Sequence, residues 1–362
     1  MDDYRTLVDR IRGTLVGGAI GDALGWPIEF RSLTDIRNGY GDAGITGFLP
    51  GPDPAAPQQI TDDTQMTLFT AEGLLRCPPG HDPVPVLRRA YLRWLATQEE
   101  PRPPGRPDGW LAGLGFLYAV RAPGNACMSG LRRQSATYLA PQPFGEPGPV
   151  NAGSKGCGTV MRSAPFGLVA AGARVAFETA ARCGQLTHGH PTGYLAAGAL
   201  GALVDRLVTG STLAEALSET GEILGAAPGA RETIGALARA GEQAAAGPAT
   251  PERVEQVGQG WIAEECLAVA VYCALHAERT GDVRGALLLA VNHSGDSDST
   301  GAVAGNLLGA RHGLAALPSE WVESVEGRDV AIQVADDLAV GFHYGERQRL
   351  GGRYPLDTAP AG

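Results

Sequence analysis

Residues 13–25 read Gly13-Thr14-Leu15-Val16-Gly17-Gly18-Ala19-Ile20-Gly21-Asp22-Ala23-Leu24-Gly25, and they decide the fold because a glycine recurs at every fourth position of a predicted helix. A later segment repeats this spacing at Gly301, Gly305 and Gly309. Glycine inside a helix costs about 1 kcal/mol relative to alanine, and four-residue spacing gathers the glycines on one face that a second backbone can approach. We therefore expect these helices to be buried and packed on each other or on a shared neighbour. The alternative is that the glycines only reflect a Gly- and Ala-rich composition.

Two acidic clusters lie at opposite ends of the chain, at Thr61-Asp62-Asp63-Thr64 and at Asp296-Ser297-Asp298-Ser299-Thr300. Each is flanked by small or apolar residues rather than by further charge. If the two glycine helices pack together, Asp22 and Glu29 at the end of the first approach the start of the second. Hydroxyl and carboxylate oxygens at this density are the ligands that Mg²⁺, Mn²⁺ or Ca²⁺ require.

A joint cluster of Glu29, Asp62, Asp63, Asp296 and Asp298 would carry about five negative charges, so some carboxylates would have to take up protons. Two divalent cations would offset most of that charge, with neutral oxygens from the neighbouring hydroxyl residues Thr61, Ser299 and Thr300. The alternative for each cluster taken singly is a helix N-cap with acidic residues in the first turn.

The pattern predicts a mostly helical chain, because apolar residues recur at helical spacing and alternating β-branched runs are nearly absent. Three Gly/Pro-rich breaks, at 39–59, 100–108 and 141–159, are typical of functional loops or connectors. We expect one domain over residues 1–345 and a poorly structured tail over 346–362. The predicted helices are 5–25, 63–76, 84–97, 109–121, 160–182, 191–209, 212–224, 230–246, 261–279, 282–291, 298–314 and 328–341.

Composition excludes several classes of protein. The net charge of −10 and the pI of about 5.2 disfavour binding to nucleic acid phosphates. The longest apolar run, 195–204, is too short to span a membrane, and the N-terminus lacks a secretory h-region. Six scattered cysteines without a Cys-x-x-Cys pair favour reduced thiols in the cytoplasm.

The loop 151–159 (Asn-Ala-Gly-Ser-Lys-Gly-Cys-Gly-Thr) leads into a helix predicted to begin near Val160. Glycines free backbone N–H groups to approach an anion, and a helix N-terminus favours negative charge. We interpret this loop as a diphosphate site with Ser154, Gly156 and Gly158 as contacts, although a simple connector is the alternative. Lys155 either assists or faces solvent.

Taken in order, five motifs resemble the ADP-ribosylglycohydrolase family, which includes the dinitrogenase reductase-activating glycohydrolases. The resemblance covers most of the chain. The motifs are Gly21-Asp22-Ala23-Leu24-Gly25 with Glu29 and Phe30, Thr61-Asp62-Asp63-Thr64, Gly156-Cys157-Gly158-Thr159-Val160-Met161-Arg162, Thr187-His188 and Gly295-Asp296-Ser297-Asp298-Ser299.

The resemblance implies a compact, all-α orthogonal helical bundle with a central binuclear metal site holding two Mg²⁺ ions, with Mn²⁺ as an alternative. It implies Glu29 or Asp62 as the catalytic acid or base. The implied metal ligands are Thr61, Asp62, Asp63, Asp296, Asp298 and Ser299. The substrate-binding residues are expected to be Asn151, Ser154, Gly156, Gly158, Met161 and His188, supported from behind by Asp22, Arg162 and Thr300.

The implied function is hydrolysis of the glycosidic bond between ADP-ribose and a modified acceptor, which is a protein side chain such as arginine or serine, a small molecule or a modified base. The alternatives are a non-catalytic protein that binds ADP-ribose or a nucleotide, and a binuclear phosphoester hydrolase. Ser299 replaces the usual Thr of the family but keeps the hydroxyl, whereas His293-Ser294 replaces smaller residues and leaves the acceptor open. His188 is either a substrate contact or a buried structural histidine, and Phe144 and Trp110 are candidates for stacking on adenine.

Overall fold

The computed structural model describes residues 2–51, 53 and 56–358. Over these residues it contains α-helices joined by loops and short 3₁₀ turns, without a β-strand, which confirms the predicted all-α fold. The helices are α1 (Asp2–Gly25), α2 (Leu33–Tyr40), α3 (Asp62–Arg76), α4 (Pro83–Glu99), α5 (Asn125–Ala136), α6 (Ala173–Gly184), α7 (Pro191–Val208), α8 (Leu213–Gly225), α9 (Arg231–Ala245), α10 (Pro251–Val257), α11 (Ala263–Thr280), α12 (Val283–Val291), α13 (Ser297–His312), α14 (Ser319–Ser324) and α15 (Arg328–Leu338), followed by a π-helical turn (Ala339–His343).

The glycine stripes of α1 and α13 face each other, as their spacing predicts. A Cβ atom placed on Gly21 would lie 1.9 Å from the carbonyl oxygen of Gly301, and one placed on Gly305 would lie 1.9 Å from that of Gly17. Because the matched positions run in opposite directions along the two helices, α1 and α13 are antiparallel. This contact brings the last turn of α1 beside the first turn of α13.

The remaining helices enclose this pair and the site it positions. Every residue of α3 is buried, and α7 and α11 present almost continuous apolar surfaces to a single core cluster. The first helix also packs against α15, so helices from the two ends of the chain share one core. Among the described helices, none is both long and apolar enough to cross a membrane.

Two predicted helices are wrong. Residues 109–121 form only two short 3₁₀ turns, because Gly109 adopts a φ of +98° and further glycines follow at positions 113 and 115. Residues 160–172 also lie outside any α-helix, since Ala170 and Gly172 take positive φ values of +54° and +84°. The α-helix predicted over 160–182 is therefore confined to α6.

Four short helices are missing from the prediction, namely α2, α5, α10 and α14. Of these, α2 carried a readable signal, because Ser32 and Asp35 form a reciprocal capping box at its start. Helix α5 is polar, with arginines at positions 132 and 133, and lacks the apolar stripe on which the prediction relied.

The expected poorly structured tail is wrong for residues 346–358. Arg347–Leu350 form a 3₁₀ turn, Tyr354 is buried, and the backbone N–H of Asp357 donates to the carbonyl of Arg76 at 2.9 Å. The side chain of Asp357 also pairs with Arg89 at 2.7 Å. A buried aromatic ring and two polar contacts hold this segment against the core, and residues 359–362 lie outside the described part of the chain.

Candidate active site

The site forms where the N-termini of α3 and α13 meet. Thr61 caps α3, with its hydroxyl accepting from the N–H of Asp63 at 3.3 Å, and Asp296 caps α13 by accepting from the N–H of Ser299 at 3.3 Å. The two helices are joined directly, because the Ser299 hydroxyl donates to Asp63 Oδ1 at 3.0 Å. The acidic clusters from the two ends of the chain therefore meet, as the sequence predicts.

Two overlapping groups of carboxylates sit at this junction. Ligand oxygens of Glu29, Asp296 and Asp298 lie within 4.8 Å of one another, and so do those of Asp22, Asp63 and Asp298. Asp298 belongs to both groups. The aspartates are nearly or fully buried, whereas Glu29 is partly exposed.

Asp22, which was predicted only to support the site, belongs to the second of these groups, whereas Asp62, which was predicted as a metal ligand, belongs to neither. Asp62 is the first residue of α3, lines the same cavity as Glu29, and accepts from the backbone N–H of Gly124 at 3.1 Å. Asp22 accepts from the backbone N–H groups of Thr61 and Thr64, at 3.0 and 3.1 Å, and from the Thr64 hydroxyl at 2.5 Å. These bonds tie the end of α1 to the start of α3.

Burial dominates the electrostatics of the cluster. It raises the pKa of Asp62, Asp63 and Asp298 well above the usual range, and neighbouring carboxylates raise these pKa values further. Burial and the charge of Asp296 raise the pKa of Glu29 to about 8, and burial raises that of Asp22 to about 6. In the protein alone, several of these acids would hold protons at neutral pH.

The donor set fits a hard divalent cation. All the clustered ligand atoms are carboxylate or hydroxyl oxygens, the type that Mg²⁺ and Mn²⁺ prefer. The buried Oε2 of Glu29 lacks a hydrogen-bond partner within the described structure. Among the described residues that line the cavity, none is Lys or Arg, so the protein itself does not compensate the charge there.

A cavity of about 500 Å³ opens above the acids. It is partly open to solvent on one side and reaches the acidic floor on the other. Its walls are the segment 122–127, which runs into the first turn of α5, the glycine loop around Cys157, and the ring of Trp261. The lining residues are Glu29, Phe30, Asp62, Asp63, Ala122, Pro123, Gly124, Asn125, Ala126, Cys127, Gly156, Cys157, Gly158, Met161, His188, Trp261, Asp296, Asp298 and Ser299.

The structure brings Gly156, Gly158, Met161 and His188 to the cavity but does not place Asn151 or Ser154 on its wall. The Asn151 amide instead donates to the carbonyls of Ala126 and Thr187, at 3.0 and 2.8 Å, which fixes the base of the loop. The loop ends in the 3₁₀ turn Cys157–Thr159, and a second 3₁₀ turn follows at Ala164–Leu168, so the α-helix expected near Val160 and its dipole are missing.

Lys155 is not available to a phosphate in this arrangement. Its ammonium group lies 2.6 Å from Glu232 and also binds Glu264. The lysine therefore anchors the loop to α9 and α11 instead of facing the cavity or free solvent.

His188 is a buried wall residue whose ring Nδ1 lies 2.8 Å from the Thr187 hydroxyl. Burial, together with the charge of Arg162, lowers its pKa to about 3, so the imidazole is neutral at physiological pH. Arg162 donates to the same Thr187 hydroxyl at 2.6 Å and stacks on Tyr91. Arg162 thus supports the histidine segment and pairs with neither a carboxylate nor the glycine loop.

Thr300 lies behind the acids and turns its hydroxyl away from them. The hydroxyl lies 2.7 Å from the carbonyl of Asp296 and 2.9 Å from Nε2 of His293. His293, which the sequence linked to the acceptor side, is fully buried and does not line the cavity.

Three wall residues were not predicted. The Cys157 thiol donates to Asp296 Oδ2 at 2.8 Å, and the rings of Phe30 and Trp261 stack at the mouth of the cavity. The glycines around Trp261, at positions 258 and 260, were the available signal. The two predicted stacking candidates lie elsewhere: Phe144 packs on Phe177 and Tyr194, and Trp110 packs on Tyr354.

The fold and the site define an all-α protein with a cavity over a floor of carboxylates. Comparison with known proteins then identifies the family. A sequence model described as ADP-ribosylglycohydrolase matches residues 3–347, so the chain belongs to the ADP-ribosylglycohydrolase family.

The chain is similar along its length to several members. It is 27% identical to an ADP-ribosyl-[dinitrogen reductase] glycohydrolase of Rhodospirillum rubrum, over 92% of this chain and 96% of the relative. It is 25% identical to the ADP-ribosylarginine hydrolase Tri1 of Serratia proteamaculans, over 91% and 79%, and 24% identical to human ADP-ribosylhydrolase ARH3, over 93% of each. A solved ADP-ribosylglycohydrolase-related protein complex has a similar fold, with a TM-score of 0.63, 28% identity and coverage of 95% and 99%.

Proposed function

We propose that this protein is a metal-dependent hydrolase that cleaves the glycosidic bond between ADP-ribose and an acceptor and releases ADP-ribose. The observation that carries this proposal is the meeting of two remote acidic clusters through the Ser299–Asp63 hydrogen bond, beside a cavity without a lining Lys or Arg among the described residues. The named relatives all act on ADP-ribosyl groups, which supports the same substrate class.

The cavity floor would hold two Mg²⁺ ions, or Mn²⁺, through the acids of both helices. Bound cations would offset the carboxylate charge and lower the pKa of a coordinated water. Glu29, at the edge of the cluster, would serve as a movable ligand. The proposed ligands are Thr61, Asp62, Asp63, Asp296, Asp298 and Ser299.

The protein's own residues would then bind and orient the ribosyl group and accept a proton. Glu29 and Asp62 both reach the cavity. Oε2 of Glu29 has no hydrogen-bond partner among the described residues, and it would accept a proton from the attacking water when bound cations keep the carboxylate ionised. Cleavage of the C1″ bond passes through a positively charged, oxocarbenium-like state. The surrounding carboxylates would stabilise that charge.

The glycine loop would hold the diphosphate at close range. A Cβ atom on Gly158 would lie 2.6 Å from Cys127 Sγ and 3.1 Å from the His188 ring, so only glycine fits there. Asn151 and Ser154 would help to set the conformation of the loop, with Met161 and neutral His188 forming part of the cavity wall.

All six cysteines are free thiols, which supports a reducing compartment such as the cytoplasm.

Product analysis tests the proposal. The purified protein is incubated with ADP-ribosylated arginine, serine, nucleobase and small-molecule substrates, with Mg²⁺, with Mn²⁺ and with EDTA. We expect metal-dependent release of free ADP-ribose. Release of AMP and ribose phosphate would instead identify a phosphoester hydrolase, and ligand binding without turnover would identify a binding protein.

A further inference from the structure

The connection between α12 and α13 carries polar side chains that have no role in the chemistry above. It comprises residues 292–296 and ends at the proposed metal ligand Asp296. His293 and Ser294, which the sequence linked to the acceptor side, are not among the residues that line the cavity. The hydrogen bonds of this connection show what it holds instead.

Two of its side chains hold α2 at both ends. At the start of the helix, the Ser294 hydroxyl accepts from the backbone N–H of Leu33 at 2.8 Å. Beyond its end, the Asn292 amide accepts from the N–H of Ile45 at 2.8 Å and donates to the carbonyl of the same residue at 2.9 Å. The fit is close, because a Cβ atom on Gly44 would lie 2.1 Å from Asn292 Oδ1. We call this pair, Asn292 and Ser294, the α2 clamp.

The α2 clamp is itself fixed from the other side. The backbone N–H of Ser294 donates to Glu255 Oε1 on α10 at 3.0 Å. The Asn292 amide also donates to the carbonyl of Leu288 on α12 at 2.9 Å. Because Asn292 is buried, its hydrogen bonds are stronger than they would be in water. The clamp therefore gives α2 a fixed point of attachment.

The turn just before α2 carries Glu29 on a strained backbone. The N–H of Glu29 donates to the carbonyl of Gly25, the last residue of α1, at 3.0 Å. Phe30 then takes a φ of +66°, in the left-handed region that bulky residues rarely adopt. Its ring is 72% exposed, so burial of the ring does not offset the strain. Such a backbone persists only where the surrounding structure holds it.

The chain on either side of Phe30 supplies that support. Before it, Gly25 packs on the start of α13, where a Cβ atom would lie 2.2 Å from the carbonyl oxygen of Ser297. After it, Leu33 is bound by Ser294. The turn between these contacts is therefore fixed at both ends against the segment that supplies two of the aspartates of the site.

We propose that Ser294 is a positioning residue that fixes the turn carrying Glu29 and so preforms one of the two cation sites. The inference rests on the proposed function. Glu29 is grouped with Asp296 and Asp298, whereas the second group of carboxylates lacks it. Ser294 should therefore affect one bound ion and leave the other. Because the clamp holds the backbone, movement of Glu29 is confined to its side chain.

The test is a calorimetric titration of the metal-free, full-length protein with Mn²⁺. We expect two bound ions in the unaltered protein. In Ser294→Ala, one of them should bind about tenfold more weakly, the size expected when a group that orients a ligand is removed. Glu29→Gln should weaken the same ion. The double variant should lose no more than Glu29→Gln alone, because Ser294 acts through Glu29.

Thr212→Ala is the matched control. Its hydroxyl also accepts from a first-turn N–H, that of Glu215 at 3.2 Å, in a helix that does not line the cavity. This variant should leave both Mn²⁺ affinities unchanged. In EDTA, the N–H of Arg31, which binds the carbonyl of Ile28 at 3.1 Å, should exchange its hydrogen faster in Ser294→Ala and at an unchanged rate in Thr212→Ala.

The outcomes separate this inference from the proposed function. Unchanged Mn²⁺ affinity in Ser294→Ala, equal losses for both ions, additive losses in the double variant or unchanged exchange at Arg31 would overturn the positioning role alone. An equal loss in Thr212→Ala would also overturn it, since the effect would then follow stability. If the unaltered protein binds no Mn²⁺, the proposed function fails, and the role of Ser294 toward a cation fails with it.

Discussion

Helix α3 carries buried carboxylates near both ends, but the protein supplies a cation at only one of them. Near the C-terminal end, the fully buried Glu72 pairs with Arg93 at 3.2 Å and accepts from the backbone N–H of Leu111 at 3.0 Å. At the N-terminal end, Asp62 and Asp63 face other acids, without an Arg or Lys among the described residues lining their cavity.

This difference distinguishes a structural ion pair at the C-terminal end of α3 from a candidate cation-binding site at its N-terminal end. A buried charge is tolerated when it is paired and hydrogen-bonded. Glu72 meets this condition within the fold, whereas Asp62 and Asp63 need protons or external cations. The N-terminal end of α3 is therefore the end at which the described residues that line the cavity supply no cation.

The largest effect on stability should come from removing the cationic partner of Glu72 at the C-terminal end of α3. Arg93→Met leaves Glu72 buried without its partner, and we expect a loss of about 3–5 kcal/mol in the free energy of unfolding. Urea denaturation measures it. The double variant Arg93→Met with Glu72→Met should recover most of the loss, and a single variant that loses under about 1 kcal/mol would show that the pair is not structural.

At the unpaired end, the same kind of change should affect activity instead of stability. Asp63→Asn removes one charge from the cluster but keeps an oxygen that can accept from Ser299. We expect ADP-ribose release to fall at least about 100-fold, equal to about 2.7 kcal/mol, with metal affinity reduced in calorimetry. Metal-free stability should not fall, because an amide cannot ionise in a buried site where neighbouring carboxylates disfavour a further negative charge. Glu72→Gln is the matched control, which should lose stability while its activity per folded molecule stays within a few-fold.

The two ends should also differ in their dependence on glycine. Gly21→Ala forces a methyl group to within 1.9 Å of the Gly301 carbonyl, and overpacking of this kind costs about 1–3 kcal/mol. Gly73→Ala, beside Glu72, meets the Cβ of Ala90 at 2.9 Å and the movable side chain of Leu87 at 3.0 Å, a milder clash that about 1 kcal/mol of regained helix propensity partly offsets. Thermal unfolding should show a larger loss of Tm for Gly21→Ala than for Gly73→Ala. The opposite order would show that the α1–α13 contact is not the tighter of the two.

A more gradual effect concerns pH. Burial raises the pKa of Glu29 from 4.5 to about 8, so in the metal-free protein the folded state holds more protons than the unfolded state between these values. Stability from this group is complete below about pH 4.5 and is lost as pH rises through about 8, with a slope of at most about 1.4 kcal/mol per pH unit that partial exposure reduces.

Urea unfolding in EDTA from pH 5 to pH 8 measures this slope. Saturating Mg²⁺ should flatten or reverse it, because the cation replaces the protons. Metal-free stability that rises with pH over this range would contradict the assigned protonation.

Much of the fold could be predicted because the periodicity of apolar residues and the spacing of glycines indicate where helices lie and which faces they bury. The α1–α13 contact and the meeting of the acidic clusters follow from positions that share a helix face. The failures lie where glycine or alanine with positive φ ends a helix that composition favours, as at Ala170 and Gly172. Short polar helices such as α5 carry no apolar stripe to detect.

The floor of the site could be predicted from the sequence, whereas its walls could be predicted only in part. Asp62, Asp63, Asp296 and Asp298 stand out as clustered charge in the sequence. Trp261 is held beside the cavity by a hydrogen bond from the N–H of Cys157 to its carbonyl. A bond between backbone groups requires no particular side chain, so it leaves no pattern in either segment. Lys155 looked free because its partners, Glu232 and Glu264, come from distant helices.

The close contact between α1 and α13 also determines when the site can form during synthesis at the ribosome. The hydroxyl–carboxylate link that completes the site joins positions 236 residues apart. A nascent chain that has not yet exposed α13 leaves the glycine face of α1 uncovered and the acids of α3 without their partners. The site therefore cannot assemble until nearly the whole polypeptide has been made, and N-terminal fragments should emerge without it.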